Sequence, residues 1–239
     1  MKKNHVKEDK SMIEFLRSVY SGPLNIALGI AGWIGIAWLI VVRKRLKMHW
    51  LVAVPVSSIL VIFAVYAVQF FALMEAGFDP AKSGGMSLYG VPFFMPILLL
   101  LGSLFTRRPV SEVFDICSVN TVLICMAGRA NCFFHGCCQG IEIGSSGFRV
   151  PTREIEMIFY AVFLILMIPR IFKNQTHGTA FPFYMAGYGI LRFFLEFFRG
   201  EGISTVFHLA HVWSLLCAAI GISVILTIHE KSIKKHNRK

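Results

Sequence analysis

The sequence predicts an all-α, polytopic integral membrane protein with about seven transmembrane helices. Three observations predict it. Hydrophobic residues make up 56% of the 239 residues and charged residues only 15%. Mean hydropathy is +0.65. The basic residues behind the net charge of +11 gather at the ends of apolar runs. A soluble domain cannot hide so much apolar surface from water, and a disordered chain needs the reverse composition. Positive charge at the run ends fits anionic headgroups and the positive-inside bias, so the pI calls for no nucleic acid. Six cysteines in so apolar a chain are not the disulfide framework of a small secreted domain.

A bilayer core of about 30 Å takes roughly 20 mostly apolar residues in a helix. The first such run is Leu24 to Val42. It is followed by RKRLK as a stop, so it reads as a span rather than a cleavable signal. Leu51 to Met74 is equally clear. Met86 to Phe105 is weaker, because it opens on Met, Ser, Leu and Tyr. Val113 to Phe134 carries polar residues inside an apolar stretch. Ile155 to Phe172 is unbroken only over Met157 to Ile168. Gly178 to Phe198 again holds charges, and Ile203 to Ile228 is plainly apolar. Lipid admits only helices and closed barrels, and the ten-residue alternation of a barrel is missing here. The organisation that follows is a basic tail over 1–23, with Ser11 to Tyr20 as a candidate interfacial helix, one membrane domain over 24–229, and a second basic tail over 230–239.

Lysine and arginine set the orientation. The links after the first, third, fifth and seventh spans hold Arg43, Lys44, Arg45 and Lys47; Arg107 and Arg108; Arg170 and Lys173; and Lys231, Lys234, Lys235, Arg238 and Lys239. Those links are expected to be cytoplasmic, which places the N-terminus outside and the C-terminus inside. The tail residues Lys2, Lys3, Lys7, Lys10 and Arg17 run against this, offset in part by Glu8, Asp9 and Glu14.

Ionisable side chains inside lipid cost about 2.5–3.5 kcal/mol on insertion scales, so each needs a reason. Arg129, Arg192 and Glu196 fall within predicted spans, and Asp115, Glu156 and Arg199 near span ends. Tyr188, Arg192, Glu196 and Arg199 are spaced four, four and three apart, which puts them on one stripe of a helix. A buried Arg192–Glu196 pair could simply lock helices together. The count of cations argues for more: Arg129, Arg192 and Arg199 outnumber Glu196 at the same implied depth, so an anion is expected to visit, and planar guanidinium forks suit phosphate. Two glycine-rich stretches, SGGMSLYG (Ser83 to Gly90) and GRANCFFHGCCQG (Gly128 to Gly140), lie on the same predicted side. They either let backbone approach a ligand or pack helices closely; for Gly84 and Gly85 alone, packing is the better reading.

In this order the motifs resemble the prolipoprotein diacylglyceryl transferase family from about Gly84 to Ser214, over half the chain. The family's G-G-M-S-F-H-G-G is similar to Gly84-Gly85-Met86-Ser87-Leu88-Tyr89-Gly90, and its loop and aspartate before the next helix to Arg107 through Asp115. Its G-R-x-G-N-F-x-N-G-E-x-x-G resembles Gly128 through Gly140. Its H-P-S-Q-x-Y-E is matched only in part by Val150 through Glu156, which keep the proline and the final Glu. The fullest match is Y-G-x-x-R-x-x-x-E-F-F-R, at Tyr188 through Arg199. The resemblance implies transfer of a diacylglyceryl group from phosphatidylglycerol to the lipobox cysteine of prolipoproteins, with their signal peptides as partners and no cofactor. By residue, it implies Arg129, Arg192, Glu196 and Tyr89 in catalysis, and Arg129, Arg199, Tyr188, Glu156, Gly90, Gly136 and Gly140 in substrate binding.

Departures accompany the matches. Tyr89 stands where the family has the histidine proposed as base, and Cys132 and Cys137 replace an Asn and a Glu. Tyrosine, with a pKa near 10, is a weak base unless a cation depresses it. His135 is the nearest alternative in sequence, and a catalytic Cys137 is a minor one. Three further readings stay open: a lipid-modifying transferase with another acceptor, an inactive relative, and a transporter of an anionic solute. The transporter reading is weakened because the halves show no duplication. Cys132, Cys137, Cys138 and His135 have no standard zinc spacing, and neighbouring cysteines make awkward ligands, so no metal is expected. Cys117, Cys125 and Cys217 read as small buried hydrophobes. For His208 and His211, hydrogen bonds in helix packing are the favoured reading.

Overall fold

A computed structural model of the protein describes residues 23–79, 82–83, 85–142, 147–199 and 208–236. The candidate interfacial helix, Gly84 and the start of the last span at Ile203 lie outside these residues. Among the described residues the chain is all-helical: α1 Pro23–Val42, α2 Ala53–Glu75, α3 Gly90–Thr106, α4 Val110–Phe134, α5 Thr152–Phe172, α6 Ala180–Glu196 and α7 Leu209–His236. A single 3-10 turn, Trp50–Val52, leads into α2. A lone β-bridge joins Glu142 to Arg149. The helices that contain α2, α4, α5 and α7 are long and apolar enough to cross a membrane. The helices α1 and α3 are apolar but shorter.

Three ends differ from the sequence reading. α3 starts at Gly90 rather than Met86, because Ser87 and Gly90 are held in a turn in which Ser87 N donates to Val68 O (3.0 Å). α6 ends at Glu196, so Arg199 leaves the helix and only the first part of the expected stripe is helical. α7 runs on to His236, through most of the segment read as a separate tail.

The core is organised around α4. Of its apolar span 67% is buried, against 28 to 33% for α2, α5 and α7, whose outer faces are left for lipid. A tight hairpin sets α4 against α3. Arg107 takes the left-handed conformation (φ 51°), Arg108 N returns to Ser103 O (3.1 Å), and Pro109 then starts the next helix. At the same end the buried Asp115 carboxylate accepts from Thr176 Oγ1 (2.6 Å), Gly178 N (2.7 Å) and Ala180 N (3.0 Å). It thereby satisfies backbone donors at the start of α6 that would otherwise be orphaned. Asp115→Ala is expected to lose about 1–3 kcal/mol, read as a lower thermal midpoint in detergent, with the buried N–H groups left unpaired.

Close contacts between helices use missing side chains. A Cβ on Gly189 would sit 2.6 Å from Ser214 O, and one on Gly221 2.7 Å from Pro182 O, so α6 and α7 touch backbone to backbone. At Gly90 a Cβ would lie 2.1 Å from Ala67 O. Gly90→Ala must therefore push α3 off α2, and the expected result is a protein with lowered thermal stability. An unchanged midpoint would contradict this packing role.

Candidate functional site

At the end of the bundle opposite Asp115, one cavity of about 380 Å³ opens between α2, α4, α6 and the segment before α3. Arg129 from α4, Arg192 from α6 and Arg199 just beyond it all line this cavity, with Glu196, Tyr89 and Glu75. Guanidinium groups from separate segments thus share one space.

They are held by buried carboxylates. Glu156, at the start of α5 and 1% exposed, accepts from Arg129 Nε through Oε2 (2.6 Å) and from Arg192 Nη1 through Oε1 (3.0 Å). Arg192 Nη2 lies 2.8 Å from Glu196 Oε2, the pair expected from their spacing. Glu196 also meets Arg199 Nη1 (3.8 Å) and His208 Nε2 (3.0 Å). The Arg192 guanidinium sits 5.2 Å above the Tyr89 ring. Its Nε has no hydrogen-bond partner among the described residues. Buried charges of this kind persist only where paired.

The charge count in the sequence needs correction. Three arginines face two paired glutamates rather than one, and Glu75 brings a third carboxylate to the cavity wall. Long-range packing of α5 makes the difference. What favours an anion is therefore the convergence of guanidinium edges on one cavity, more than net charge.

The remaining candidates divide. Tyr89 lines the cavity, but its Oη is 2.6 Å from Ser214 Oγ and 3.0 Å from Ala210 O, so the hydroxyl is engaged by α7. Tyr188 is fully buried in an aromatic group, 5.8 Å from Tyr184 and 5.9 Å from Tyr89 between ring centroids. Gly90 packs on α2. Gly136 (φ 66°) turns the chain after α4. Gly140 fits against Phe198 O and Val150, where a Cβ would clash at 2.6–2.8 Å. None of these three glycines lines the cavity. His135 caps α4 on the exposed surface. His208 joins the charged network through Glu196, a larger part than helix packing.

One feature escaped the sequence reading and a second was set aside by it. Glu75 closes α2 one residue past the apolar run, so a hydropathy ruler stops just short of it. The second is a thiol cluster: the sulfur atoms of Cys132, Cys137 and Cys138 lie within 4.8 Å of one another, and Cys132 and Cys138 line the cavity. The turn through Gly136 and the left-handed Cys138 (φ 59°) folds the adjacent pair back on α4. A hydrogen bond from Cys132, and the nearby Arg199 and Arg129, pull the Cys138 thiol down to about 5, while burial and Cys138 push Cys137 up.

Taken together, these features define a polytopic helical membrane protein with a guanidinium-lined cavity at one end of its bundle. Residues 13–227 match the prolipoprotein diacylglyceryl transferase family, and the chain belongs to that family. It is 28% identical, over 131 residues, to phosphatidylglycerol--prolipoprotein diacylglyceryl transferase 2 of Clostridium perfringens. That match takes in 49% of this chain and 51% of the relative, so the chain spans about half the length of the curated relative it matches.

Proposed function

We propose that the protein transfers a diacylglyceryl group from phosphatidylglycerol to the thiol of a prolipoprotein lipobox cysteine, releasing glycerol phosphate. The observation that carries this reading is the shared cavity of Arg129 and Arg192, bridged by Glu156, in a member of this family. A phosphodiester in the cavity takes the N–H groups of both arginines that Glu156 and Glu196 leave over. As the thiol sulfur attacks the glycerol carbon and the C–O bond breaks, charge grows on the leaving phosphate, where these donors are most stabilising. Glu156 and Glu196 fix the arginines, and Tyr89 supports the face of Arg192. Arg199, half-buried near the cavity mouth, meets the headgroup, and Tyr188 braces α6 from its aromatic stack. Gly90, Gly136 and Gly140 act on substrate binding only through the packing and turns that set the segments beside the cavity. The signal peptide approaches from the outer leaflet, with the N-terminus outside and the C-terminus in the cytoplasm of a bacterial cell. A different acceptor on the same chemistry is the second reading, favoured by the engaged hydroxyl of Tyr89.

The test uses membranes carrying the full chain, labelled phosphatidylglycerol and a lipobox peptide. Glycerol phosphate release matched by a diacylglyceryl mass gain on the peptide is expected. Lipid turnover that leaves the peptide unmodified and modifies another acceptor would move the assignment to the second reading.

A further inference from the structure

Each backbone carbonyl of the thiol cluster is pinned by the first turn of α5. Arg153 Nη1 donates to Cys132 O and Cys137 O, both at 3.1 Å, and Thr152 Oγ1 donates to Cys138 O at 2.9 Å. Three cysteines whose backbone is held by the same two residues present their sulfurs from a fixed frame, as metal ligands require. We propose that Cys132, Cys137 and Cys138 bind one zinc ion whose open fourth position takes the acceptor thiol.

The donor set selects the metal class. Three sulfurs with neither carboxylate nor imidazole in the cluster suit a soft or borderline cation, and zinc accepts thiolates in tetrahedral geometry. With Zn–S near 2.3 Å, tetrahedral sulfurs stand about 3.8 Å apart, so spacings up to 4.8 Å close by small side-chain rotations. Neighbouring cysteines argued against a metal only while counted along the chain; the turn at Cys138 brings their sulfurs onto the same side. Zinc with three thiolates carries one net negative charge, and Arg129 and Arg199 line the same cavity as Cys132 and Cys138. Three protein ligands and a fourth, open position is the pattern of a catalytic rather than a structural zinc. Cys132 and Cys138 face the cavity, so that position opens on the place where the phosphate is proposed to bind.

The role of the metal rests on the proposed thiol alkylation. Tyr89 Oη is engaged by Ser214 and Ala210, so activation of the acceptor has to come from another group. A thiol that binds zinc gives up its proton to water and stays a thiolate at neutral pH. That sulfur forms the new C–S bond to the glycerol carbon. The C–O bond to phosphate breaks, its electron pair leaves on glycerol phosphate, and the neutral thioether, a poorer ligand, dissociates. No electron is transferred to or from the metal.

Metal content of the purified full chain tests the site without any substrate. About one zinc per chain is expected. It should be lost in Cys132→Ser, Cys137→Ser and Cys138→Ser, and kept in Cys117→Ser. Cobalt loaded in place of zinc should give the thiolate charge-transfer and intense visible bands of a tetrahedral site in the wild type, and a lipobox peptide should shift them. Monodisperse elution of the serine variants separates loss of metal from loss of fold. Equal zinc in the wild type and the triple serine variant, or a disulfide within the cluster of the freshly isolated protein, would overturn the site. Zinc bound and turnover insensitive to its removal and return would overturn its catalytic role. Zinc bound with no transfer to any thiol would leave the site standing and sink the proposed reaction.

Discussion

Replacing Arg129 or Arg192 by lysine is expected to lower glycerol phosphate release by about 100- to 1,000-fold, the loss typical of removing one donor from a developing oxyanion. Charge is kept in these variants, so the loss reads geometry. Arg129 spends Nε on Glu156, and Arg192 spends Nη1 on Glu156 and Nη2 on Glu196. A guanidinium has five N–H donors in one plane, so it can hold those carboxylates and still offer its remaining N–H groups to a phosphate. A lysine ammonium, a point donor on a flexible stem, cannot present both in fixed planes. Turnover near the wild-type rate in either variant would contradict the roles given to both arginines.

Glu156→Gln should have the largest effect on stability. Its carboxylate is shared by two arginines at a depth where water does not compensate them, and breaking a buried pair by removing one partner costs about 3–5 kcal/mol. Here one substitution weakens two pairs. The expected outcome is a fall in the thermal midpoint of the detergent-purified protein together with loss of turnover. Glu156→Asp keeps the charge on a shorter arm and should recover stability more than activity. A Gln variant with an unchanged midpoint would show that the bridge is not holding α4, α5 and α6 together.

Local signals in the sequence carried the helices and the Arg192–Glu196 pair. Apolar run lengths reported the spans, and a four-residue spacing put both side chains on the same face of α6. Glu156 was placed only near a span end, because its position between Arg129 and Arg192 depends on how α5 packs against two other helices. The thiol cluster was hidden for a related reason. Its sulfur spacings are set by a chain reversal through Gly136 and Cys138, and a positive φ at Cys138 leaves no clear trace in sequence. Glycines were ambiguous from the start: Gly90 reads equally as a ligand contact or as a helix contact until Ala67 is seen against it.

A cryo-EM map of the full chain in nanodiscs of phosphatidylglycerol would locate the headgroup. The lipid phosphate is predicted within hydrogen-bond reach of both Arg129 and Arg192, with its glycerol C–O bond turned toward Cys132 and Cys138. A phosphate bound elsewhere, with those two arginines engaged only by Glu156 and Glu196, would contradict the proposed chemistry.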